Sequence, residues 1–344
     1  MAVQKIVELR SDTFTKPTKA MLEAMMSAQV GDDVFGEDEV VNTLETKVAT
    51  LFGMEAALFC PSGTMTNQLA IRVHCQPGDE VICEALSHVY IYEGGGIAVN
   101  ALSSVKAVVG DRGRITAEQV RSSINNPNDI HQPFTKLVSL ENTANRGGGS
   151  IYDFKEIKKI KSVCVERNLK LHLDGARLFN ALVESEESSS DYGATFDTIS
   201  ICLSKGLGCP IGSLVIGKKE VIAKARRFRK LMGGGWRQAG YLAAAGIYAL
   251  DHHVDRLKED HRRAKLIAEN LQSKNYVASI YPVDTNIVIF QTENKLPARQ
   301  LVEKLNAENI RCIAMNETTI RMVTHLDFND DDLDYLLGRL NRIE

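Results

Sequence analysis

The sequence predicts an α/β fold with a mostly parallel sheet covered by helices, followed by a small α+β C-terminal domain. Over roughly the first 250 residues, short apolar runs alternate with segments of helical periodicity, a pattern typical of a parallel sheet between helices. The runs are continuously apolar, as expected for strands buried on both faces. After residue 251 the alternation ends. We therefore expect a large domain over residues 1–250 and a small one over residues 251–344.

Two helices are predicted before the first strand of the large domain. Thr18 is a suitable N-cap for the first helix, and Leu22 and Met26 are expected on its apolar face. Apolar residues at helical spacing over 40–51 predict the second helix, and Gly53 marks its end. The predicted strands of this domain are 56–60, 80–83, 105–109, 136–140, 171–173, 198–203 and 213–216.

The remaining elements follow from the same patterns. A helix is predicted over 153–167, and a long helical region over 238–271. The acidic, serine-rich stretch 184–191 is expected to form a surface loop. The small domain is expected to contain strands 286–290 and 319–323 and helices 297–308 and 330–342.

Composition excludes several classes of partner. The 344 residues carry a formal net charge of −3 and contain no dense basic stretch, so neither nucleic acid nor an anionic membrane surface is expected to bind. No apolar run reaches membrane-spanning length. The seven cysteines are scattered without a C-x-x-C pair, which indicates a reducing compartment. With no signal peptide at residues 1–8, we expect a cytoplasmic protein.

The first candidate binding feature is Pro61-Ser62-Gly63-Thr64, at the junction of a predicted strand and a helix. The free N–H groups and positive dipole end of a helix N-terminus suit a phosphate. Gly63 permits close approach, and the Thr64 hydroxyl can donate a hydrogen bond. The segment lacks G-x-x-x-x-G-K-[ST], so it is not a nucleotide P-loop. An ordinary capped turn would have the same sequence, so this feature decides nothing alone.

The second feature is Asp174, which follows the apolar strand 171–173 and precedes Gly175-Ala176-Arg177. Ligands of open α/β sheets bind at the carboxyl ends of strands. An aspartate there could pair with a protonated pyridine nitrogen and strengthen a pyridoxal cofactor as an electron sink. The alternative is that Asp174 caps the next helix and that Arg177 is its surface partner. The two interpretations are about equally supported by this motif.

The third feature is Ser204-Lys205-Gly206-Leu207-Gly208, directly after the apolar strand 198–203. A lysine at such a place can attack a carbonyl as the free amine, and Ser204 could reach the same phosphate as Thr64. Glycines allow the chain to bend around a bulky ligand. A solvated lysine at a strand end is the alternative, which the apolar and glycine-rich flanks disfavour.

The fourth feature is His88, which precedes Glu93-Gly94-Gly95-Gly96. It could stack over a planar cofactor or act as an acid or base, although an isolated histidine is more often structural. Phosphate turn, histidine, strand-end aspartate and lysine therefore occur in this order within one α/β unit. Their joint occurrence predicts pyridoxal 5′-phosphate (PLP) rather than NAD or ATP as the cofactor, and no metal site is expected.

Over essentially its whole length the chain also resembles the L-threonine aldolases, which have the aspartate-aminotransferase fold, known as PLP fold type I. The motifs that carry this resemblance are Leu9-Arg10-Ser11-Asp12-Thr13, Gly31-Asp32-Asp33-Val34, Pro61-Ser62-Gly63-Thr64, Leu140-Glu141-Asn142-Thr143, Leu173-Asp174-Gly175-Ala176-Arg177, Cys202-Leu203-Ser204-Lys205-Gly206-Leu207-Gly208, Gly233-Gly234-Gly235-Trp236-Arg237-Gln238 and Arg321-Met322-Val323-Thr324-His325. Two departures are Ala144, where many relatives have histidine, and Trp236, where methionine is frequent.

The resemblance implies a role for each candidate residue. Lys205 is implied as the Schiff-base lysine, Asp174 as the partner of the pyridinium nitrogen and His88 as the residue stacked on the ring. The residues implied around the cofactor phosphate are Gly63, Thr64, Ser204 and Arg237, the last from a neighbouring subunit. Those implied at the substrate carboxylate are Ser11, Arg177 and Arg321, with Arg177 also beside the cofactor. His131 is implied near the substrate hydroxyl, so His88, His131 and a bound water are all candidate bases.

The resemblance also implies an activity and an assembly. The expected reaction is retro-aldol cleavage of a β-hydroxy-α-amino acid, L-threonine or L-allo-threonine, to glycine and an aldehyde. The expected form is a homo-oligomer, dimer or tetramer, with shared active sites. A β-eliminating lyase, an aminotransferase and a catalytically silent PLP-fold protein are the alternatives, because a fold does not fix a function. Intact Lys205, Asp174, Arg177 and Arg321 oppose the last of these.

Overall fold

The computed structural model describes residues 6–293 and 295–343. Residues 1–5, where no signal peptide is expected, lie outside that range. The strands are β1 (Val7–Glu8), β2 (Ala56–Cys60), β3 (Glu80–Glu84), β4 (Ser104–Val108), β5 (Thr135–Glu141), β6 (Lys170–Gly175), β7 (Thr198–Cys202), β8 (Ser213–Gly217), β9 (Val277–Ile280), β10 (Ile287–Thr292), β11 (Ile310–Arg311), β12 (Ile313–Ala314) and β13 (Thr319–Val323).

The helices surround and connect these strands. They are α1 (Lys19–Met26), α2 (Glu39–Leu51), α3 (Gly63–His74), α4 (His88–Ile91), α5 (Gly96–Ala101), α6 (Ala117–Ser123), α7 (Phe154–Glu166), α8 (Leu178–Leu182), α9 (Ser189–Thr195), α10 (Lys219–Leu231), α11 (Gly240–His252), α12 (Leu257–Gln272), α13 (Ala298–Ala307) and α14 (Asp330–Leu340). No helix within the described ranges combines the length and hydrophobicity needed to cross a bilayer.

The large sheet has seven strands in the order β2-β8-β7-β6-β5-β3-β4. Strand β8 is antiparallel to both of its neighbours, and the pairs from β7 to β4 are all parallel. All seven strands predicted for the large domain are confirmed. Glu141 at the end of β5 pairs with Asp174 on β6, and Asp174 pairs with Ser200 on β7. We call the side of the sheet where these parallel strands end the carboxyl edge.

Two helical predictions need correction. Thr18 caps α1 as expected, but Leu22 and Met26 are 47% and 79% exposed, so they do not belong to its buried face. The helical region over 238–271 is divided into α11 and α12. At this break the ring of His253 is turned toward Leu207, whose carbonyl oxygen lies 2.7 Å from Nδ1. This long-range contact has no counterpart in the local pattern.

The expected loop over 184–191 is shorter than predicted. Ser188 caps α9 through a reciprocal capping box with Asp191, so the last residues of this stretch begin a helix. A serine followed three residues later by an acidic side chain is a recognised signal for a helix N-terminus. The polar composition of the stretch 184–191 favoured a loop and obscured this signal.

A second sheet lies in the C-terminal part of the chain. Its strands are antiparallel in the order β12-β13-β10-β9, with α12, α13 and α14 contributing to the core beneath it. Strand β1 pairs in parallel with β11, and Val7 and Leu9 join this second core. The strands and helices expected after residue 251 are confirmed, whereas the boundary near that residue stays a prediction. The placement of Val7 and Leu9 makes the N-terminal segment part of the smaller core.

Candidate active site

A buried amide joins two carboxylates at the carboxyl edge. Asn67 on α3 donates from Nδ2 to Asp174 Oδ2 at 2.9 Å and to Glu93 Oε1 at 2.8 Å. Its Oδ1 lies 3.1 Å from His172 Nε2, which must be the donor because an amide oxygen only accepts. The Ala176 N–H donates to Asp174 Oδ1 at 3.1 Å. Each oxygen of Asp174 therefore accepts a hydrogen bond, and the carboxylate is fixed at the strand end, where a ligand is expected.

His88 lies beside this pair of acids. Its Nδ1 is 2.9 Å from Glu93 Oε1, and its backbone N–H donates to Glu141 Oε2 at 2.7 Å. Burial lowers the pKa of His88, but the hydrogen bond to Glu93 and the charges of Asp174 and Glu93 outweigh burial and the repulsion of Lys205, so the pKa is raised. With Nδ1 bonded to a carboxylate, Nε2 is the nitrogen left for a ligand.

A third acid, Glu141, is buried at the end of β5. It accepts hydrogen bonds from the N–H groups of Asn145, at 2.8 Å, and of His88. Burial and repulsion by Asp174 raise the pKa of Glu141 to about 7. The protonated form of Glu141 is therefore accessible near neutral pH, and the site can hold three acids without three full negative charges.

The three groups His88, Glu93 and Asp174 offer ligand atoms within 4.8 Å of one another. Amide hydrogens of Asn67 occupy both carboxylates, and Gln68 Nε2 donates to the other oxygen of Glu93 at 2.5 Å. These donors fit a hydrogen-bonded network, since a metal ion would compete with them for the same lone pairs.

The phosphate turn is built where α3 begins. A Cβ added to Gly63 would lie 2.5 Å from Cys202 Sγ at the end of β7, so only glycine lets the turn approach that strand. The hydroxyls of Thr64 and Ser204 are half-buried, and neither makes a side-chain hydrogen bond within the described part of the chain. Free donors beside a helix N-terminus are suited to a phosphate.

Lys205 follows β7 in a tightly held loop. Its backbone oxygen accepts hydrogen bonds from Thr15 Oγ1 and from the Gly208 N–H, both at 2.9 Å. Gly208 has a φ of +79° and its hypothetical Cβ would meet Leu326, so the turn requires glycine. Lys205 is half-buried, and its charge acts on both Asp12 and His88. The lysine therefore lies within electrostatic reach of the acids at the carboxyl edge.

Arg177 forms a buried bidentate ion pair with Asp12. Its Nε and Nη2 donate to the two carboxylate oxygens of Asp12, each at 2.7 Å. Burial alone would raise the pKa of Asp12, but attraction by Arg177 holds it well below the usual range. Arg177 is thus not the surface partner of Asp174 considered above. Its Nη1 makes no hydrogen bond within residues 6–293 and 295–343, so one face of the guanidinium stays available.

Arg321 on β13 of the second sheet lies near Arg177 and Asp12. Its Nη1 donates to Asn145 Oδ1 at 2.8 Å and its Nη2 to the Arg10 carbonyl at 3.0 Å, whereas Nε is buried without a partner among the described residues. Burial and repulsion by Arg177 lower the pKa of Arg321 to about 10. A buried guanidinium donor without an acceptor is a natural position for a carboxylate.

Ser11 is next to Asp12 in the chain, and its Oγ lies 3.4 Å from Asp12 Oδ1. Two other predicted residues do not join this group within one chain. His131 is exposed before the amino end of β5, the end opposite Glu141, where its loop is tied to Asp129. Arg237 is 55% exposed and pairs with Asp32 at 2.8 Å instead of the phosphate turn.

Four residues of the candidate site were given no role from the sequence. Asn67, Glu93 and Asp12 are fully or almost fully buried polar side chains, and Glu141 ends a strand beside Asp174. Glu141 had a usable signal, because an acid directly after the apolar strand 136–140 follows the same rule that identified Asp174. Asn67 had none, since an amide inside a helix is usually a surface residue.

Comparison with known proteins agrees with this geometry. A family model described as beta-eliminating lyase matches residues 8–295. A low specificity L-threonine aldolase of Escherichia coli K12 is 44% identical over 95% of this chain and 96% of its own length. The chain belongs to the L-threonine aldolase family. Low-specificity L-threonine aldolase 1 of Arabidopsis thaliana is 39% identical over 98% of this chain and 96% of its own length.

A solved structure supports the fold of this family member. A threonine aldolase of Leishmania major superposes with a TM-score of 0.84 at 21% identity, covering 98% of this chain and 99% of its own. Threonine aldolases are PLP-dependent lyases, so the cofactor predicted from the order of the four motifs is confirmed, as is the fold class. The free hydroxyls at the phosphate turn and the fixed carboxylate of Asp174 fit this cofactor.

Proposed function

We propose that this L-threonine aldolase family member cleaves L-threonine or L-allo-threonine to glycine and acetaldehyde, and accepts other β-hydroxy-α-amino acids. The observation that carries the proposal is the buried Nε of Arg321, which has no hydrogen-bond partner among the described residues and lies on the side of the site where Asp12 and Arg177 also lie. A carboxylate acceptor beside the cofactor residues is what an amino-acid substrate supplies. Relatives named low specificity L-threonine aldolase support the choice of substrate.

The residues at the carboxyl edge fit PLP as follows. Lys205 would hold the cofactor covalently, Asp174 would pair with its ring nitrogen, and His88 would lie against the ring. Thr64, Ser204 and the N-terminus of α3 would hold the phosphate. When bound, PLP withdraws electrons from the α-carbon of an amino acid and so weakens the bond between Cα and Cβ.

The arginines orient the substrate. On this side of the site, Nε of Arg321 and Nη1 of Arg177 each lack a hydrogen-bond partner among the described residues, and Ser11 lies next to Asp12, the partner of Arg177. A carboxylate held from both sides cannot rotate freely, so the bond to be broken keeps one orientation. Positioning of this kind can lower a barrier by about 7–11 kcal/mol.

A base must accept the proton of the β-hydroxyl group. Nε2 of His88 is one candidate, because Glu93 already holds Nδ1. His131 is a second candidate only if it comes from another subunit, given its place at the opposite edge of the sheet. A water molecule is the third. Lys205, once released from the cofactor, would return a proton to the α-carbon.

We also propose a homo-oligomer, a dimer or tetramer, in which Arg237 of one subunit completes the phosphate site of another. The exposed Arg237 and the 74% exposed Phe35 support an interface at this surface. Mixing Lys205→Ala subunits with Arg237→Ala subunits tests sharing, because exchange would create some sites with both residues intact. Regained activity supports the proposal, and none after demonstrated exchange confines Arg237 to its own chain.

The cellular setting is part of the same proposal. All seven cysteines are free and buried in the structure, as in proteins of a reducing compartment. We place the enzyme in the cytoplasm, where it would serve threonine breakdown or glycine formation.

Product analysis tests the reaction directly. The purified protein, supplied with PLP, is incubated with L-threonine and separately with L-allo-threonine, and the products are quantified. Equimolar glycine and acetaldehyde are expected. A second candidate, β-elimination, is favoured by the description of the matching family model and would give a keto acid and ammonia instead. A keto acid without ammonia release would indicate transamination.

A further inference from the structure

Glu93 occupies the centre of the hydrogen-bond network around His88. Its Oε1 lies 2.9 Å from His88 Nδ1 and accepts from Asn67 Nδ2 at 2.8 Å, and its Oε2 accepts from Gln68 Nε2 at 2.5 Å. The Glu93 side chain is completely buried, whereas that of His88 is 33% exposed. Two amide side chains therefore hold the Glu93 carboxylate in place independently of His88. On the His88 ring, Nδ1 is held by Glu93 and Nε2 is free to bind a ligand.

We propose that Glu93 is a positioning residue for the cleavage reaction: it orients the His88 ring, holds the proton on Nδ1 and leaves Nε2 to face the substrate. This inference rests on the proposed function, because it assigns the open nitrogen to the substrate side of that site. A carboxylate that binds one nitrogen of a histidine determines which tautomer is present and increases the basicity of the other nitrogen.

Asn67 extends the role of Glu93 to the cofactor side. The same Nδ2 atom donates one hydrogen to Glu93 and one to Asp174, so the acid behind His88 and the acid for the ring nitrogen are held at a fixed separation. Two buried carboxylates this close repel each other, and the amide hydrogens between them relieve that repulsion. Asn67 thus sets the position of His88 relative to Asp174.

The charges that surround His88 come from four parts of the chain. Glu93 lies in its own segment, Glu141 at the end of β5, Asp174 on β6 and Lys205 after β7. Three of these groups are acids and one is a base. Of the residues described, Glu93 is the one that is hydrogen-bonded to the ring, so its replacement isolates the contribution of the direct contact.

The neighbourhood allows a variant that removes the charge of Glu93 but keeps its shape. In Glu93→Gln, the new amide oxygen can still accept from His88 and Asn67. The new NH2 group then faces Gln68, whose Oε1 is buried and accepts no hydrogen bond from the part of the chain that the structure describes. A flip of the Gln68 amide would supply that oxygen as an acceptor. Glu93→Ala removes both the charge and the hydrogen bond, so the two variants separate basicity from orientation.

The decisive measurement is NMR of the ring nitrogens of His88 in the PLP-loaded protein, assigned by comparison with His88→Asn and followed against pH. In Glu93→Gln, the midpoint for His88 should fall by about one to three pH units, because an opposite charge at this distance accounts for shifts of that size. The proton should stay on Nδ1. In Glu93→Ala, the preference for protonated Nδ1 should also be lost.

A matched control is Glu80→Gln. Glu80 is also a buried glutamate that accepts from an asparagine, Asn125, at 2.9 Å, but it lies at the amino end of β3. Its replacement should leave the His88 midpoint unchanged. Equal midpoints in Glu93→Gln and Glu80→Gln would overturn the inference, as would an unchanged tautomer in Glu93→Ala.

Kinetics link the positioning role to the reaction. The acid limb of the profile of kcat/KM against pH should move in Glu93→Gln by the same amount as the NMR midpoint. The inhibition constant for glycine should change less. Because the NMR midpoint does not depend on turnover, a protein that fails to cleave threonine would refute the proposed function while leaving the Glu93–His88 result measurable.

Discussion

Arg177 and Asp12 are 165 positions apart in the chain, yet they form a two-point ion pair in which neither side chain is more than 6% exposed. The pair attaches the N-terminal segment to the loop after β6, and it uses only Nε and Nη2 of the guanidinium. Asp12 therefore determines which face of Arg177 stays available for a ligand.

Asp12→Asn should destabilise the protein and weaken substrate binding together. Removing one partner of a buried pair leaves an uncompensated charge, which costs about 3–5 kcal/mol. Denaturant unfolding measures the first effect and glycine affinity the second. The control is Asp32→Asn, whose partner Arg237 is more than half exposed, and it should change stability little. Equal losses in both variants would show that burial of the Arg177 pair is unimportant.

Arg321→Lys should weaken glycine binding while PLP affinity stays unchanged. The substitution keeps a positive charge but removes Nε–H and the planar fork. Charge-assisted hydrogen bonds contribute about 1.5–3 kcal/mol, so the dissociation constant for glycine should rise roughly ten- to hundredfold. Calorimetric titration of the PLP-loaded variant measures it. A glycine affinity equal to that of the parent protein would exclude Arg321 from the carboxylate site.

Gly63→Ala should lower stability and PLP affinity because the new methyl group would lie 2.5 Å from Cys202 Sγ. Overpacking of this kind costs about 1–3 kcal/mol. The double variant Gly63→Ala with Cys202→Ala should recover part of the loss by providing space. Gly338→Ala on α14 is the control, since no atom of the described residues lies within 4 Å of its Cβ position, and it should be neutral or stabilising. Failure of the second substitution to rescue the first would contradict a direct clash.

Local sequence pattern predicted which candidate residues lie just after strand ends. Asp174, Lys205 and Gly63 each adjoin an apolar run, and ligands bind where parallel strands end, so these positions followed from one rule. The seven strands of the large sheet were predicted for the same reason, because continuous apolar runs are a local property.

The contacts between distant segments could not be predicted in this way. The pairing of Asp12 with Arg177, the bridge of Asn67 between two acids and the addition of β1 to β11 join residues far apart in the chain. Periodicity carries no information about such partners. It also overestimated the buried face of α1, since Leu22 and Met26 repeat at helical spacing but lie exposed.

Acid should destabilise the protein through His172. Burial lowers the pKa of His172 to about 4, whereas an unfolded histidine titrates near 6.5. Between these two pKa values the unfolded chain binds more protons than the folded protein. The contribution of neutral His172 to the free energy of unfolding is therefore complete above about pH 6.5 and is lost as the pH falls toward 4. Between about pH 7 and about pH 5 the loss from this residue should be on the order of 2 kcal/mol.

The variant His172→Gln tests this dependence. Glutamine can still donate to Asn67 Oδ1 but does not titrate. The free energy of unfolding of the variant should therefore fall less than that of the parent protein between about pH 7 and about pH 5, although at neutral pH the variant should be the less stable of the two. Urea unfolding of parent and variant at both pH values supplies the comparison. Parallel pH dependence in the two proteins would mean that His172 is not kept neutral by the fold.

Attachment of PLP to Lys205, at the carboxyl edge beside Asp174 and His88, can be examined by locating the covalent bond to the cofactor. The PLP-loaded protein is treated with borohydride, which makes the bond between cofactor and lysine permanent, and is then digested and mapped by mass spectrometry. We expect the cofactor mass on the peptide containing Lys205 and on no other peptide. Cofactor mass on a different lysine, with Lys205 unmodified, would contradict it.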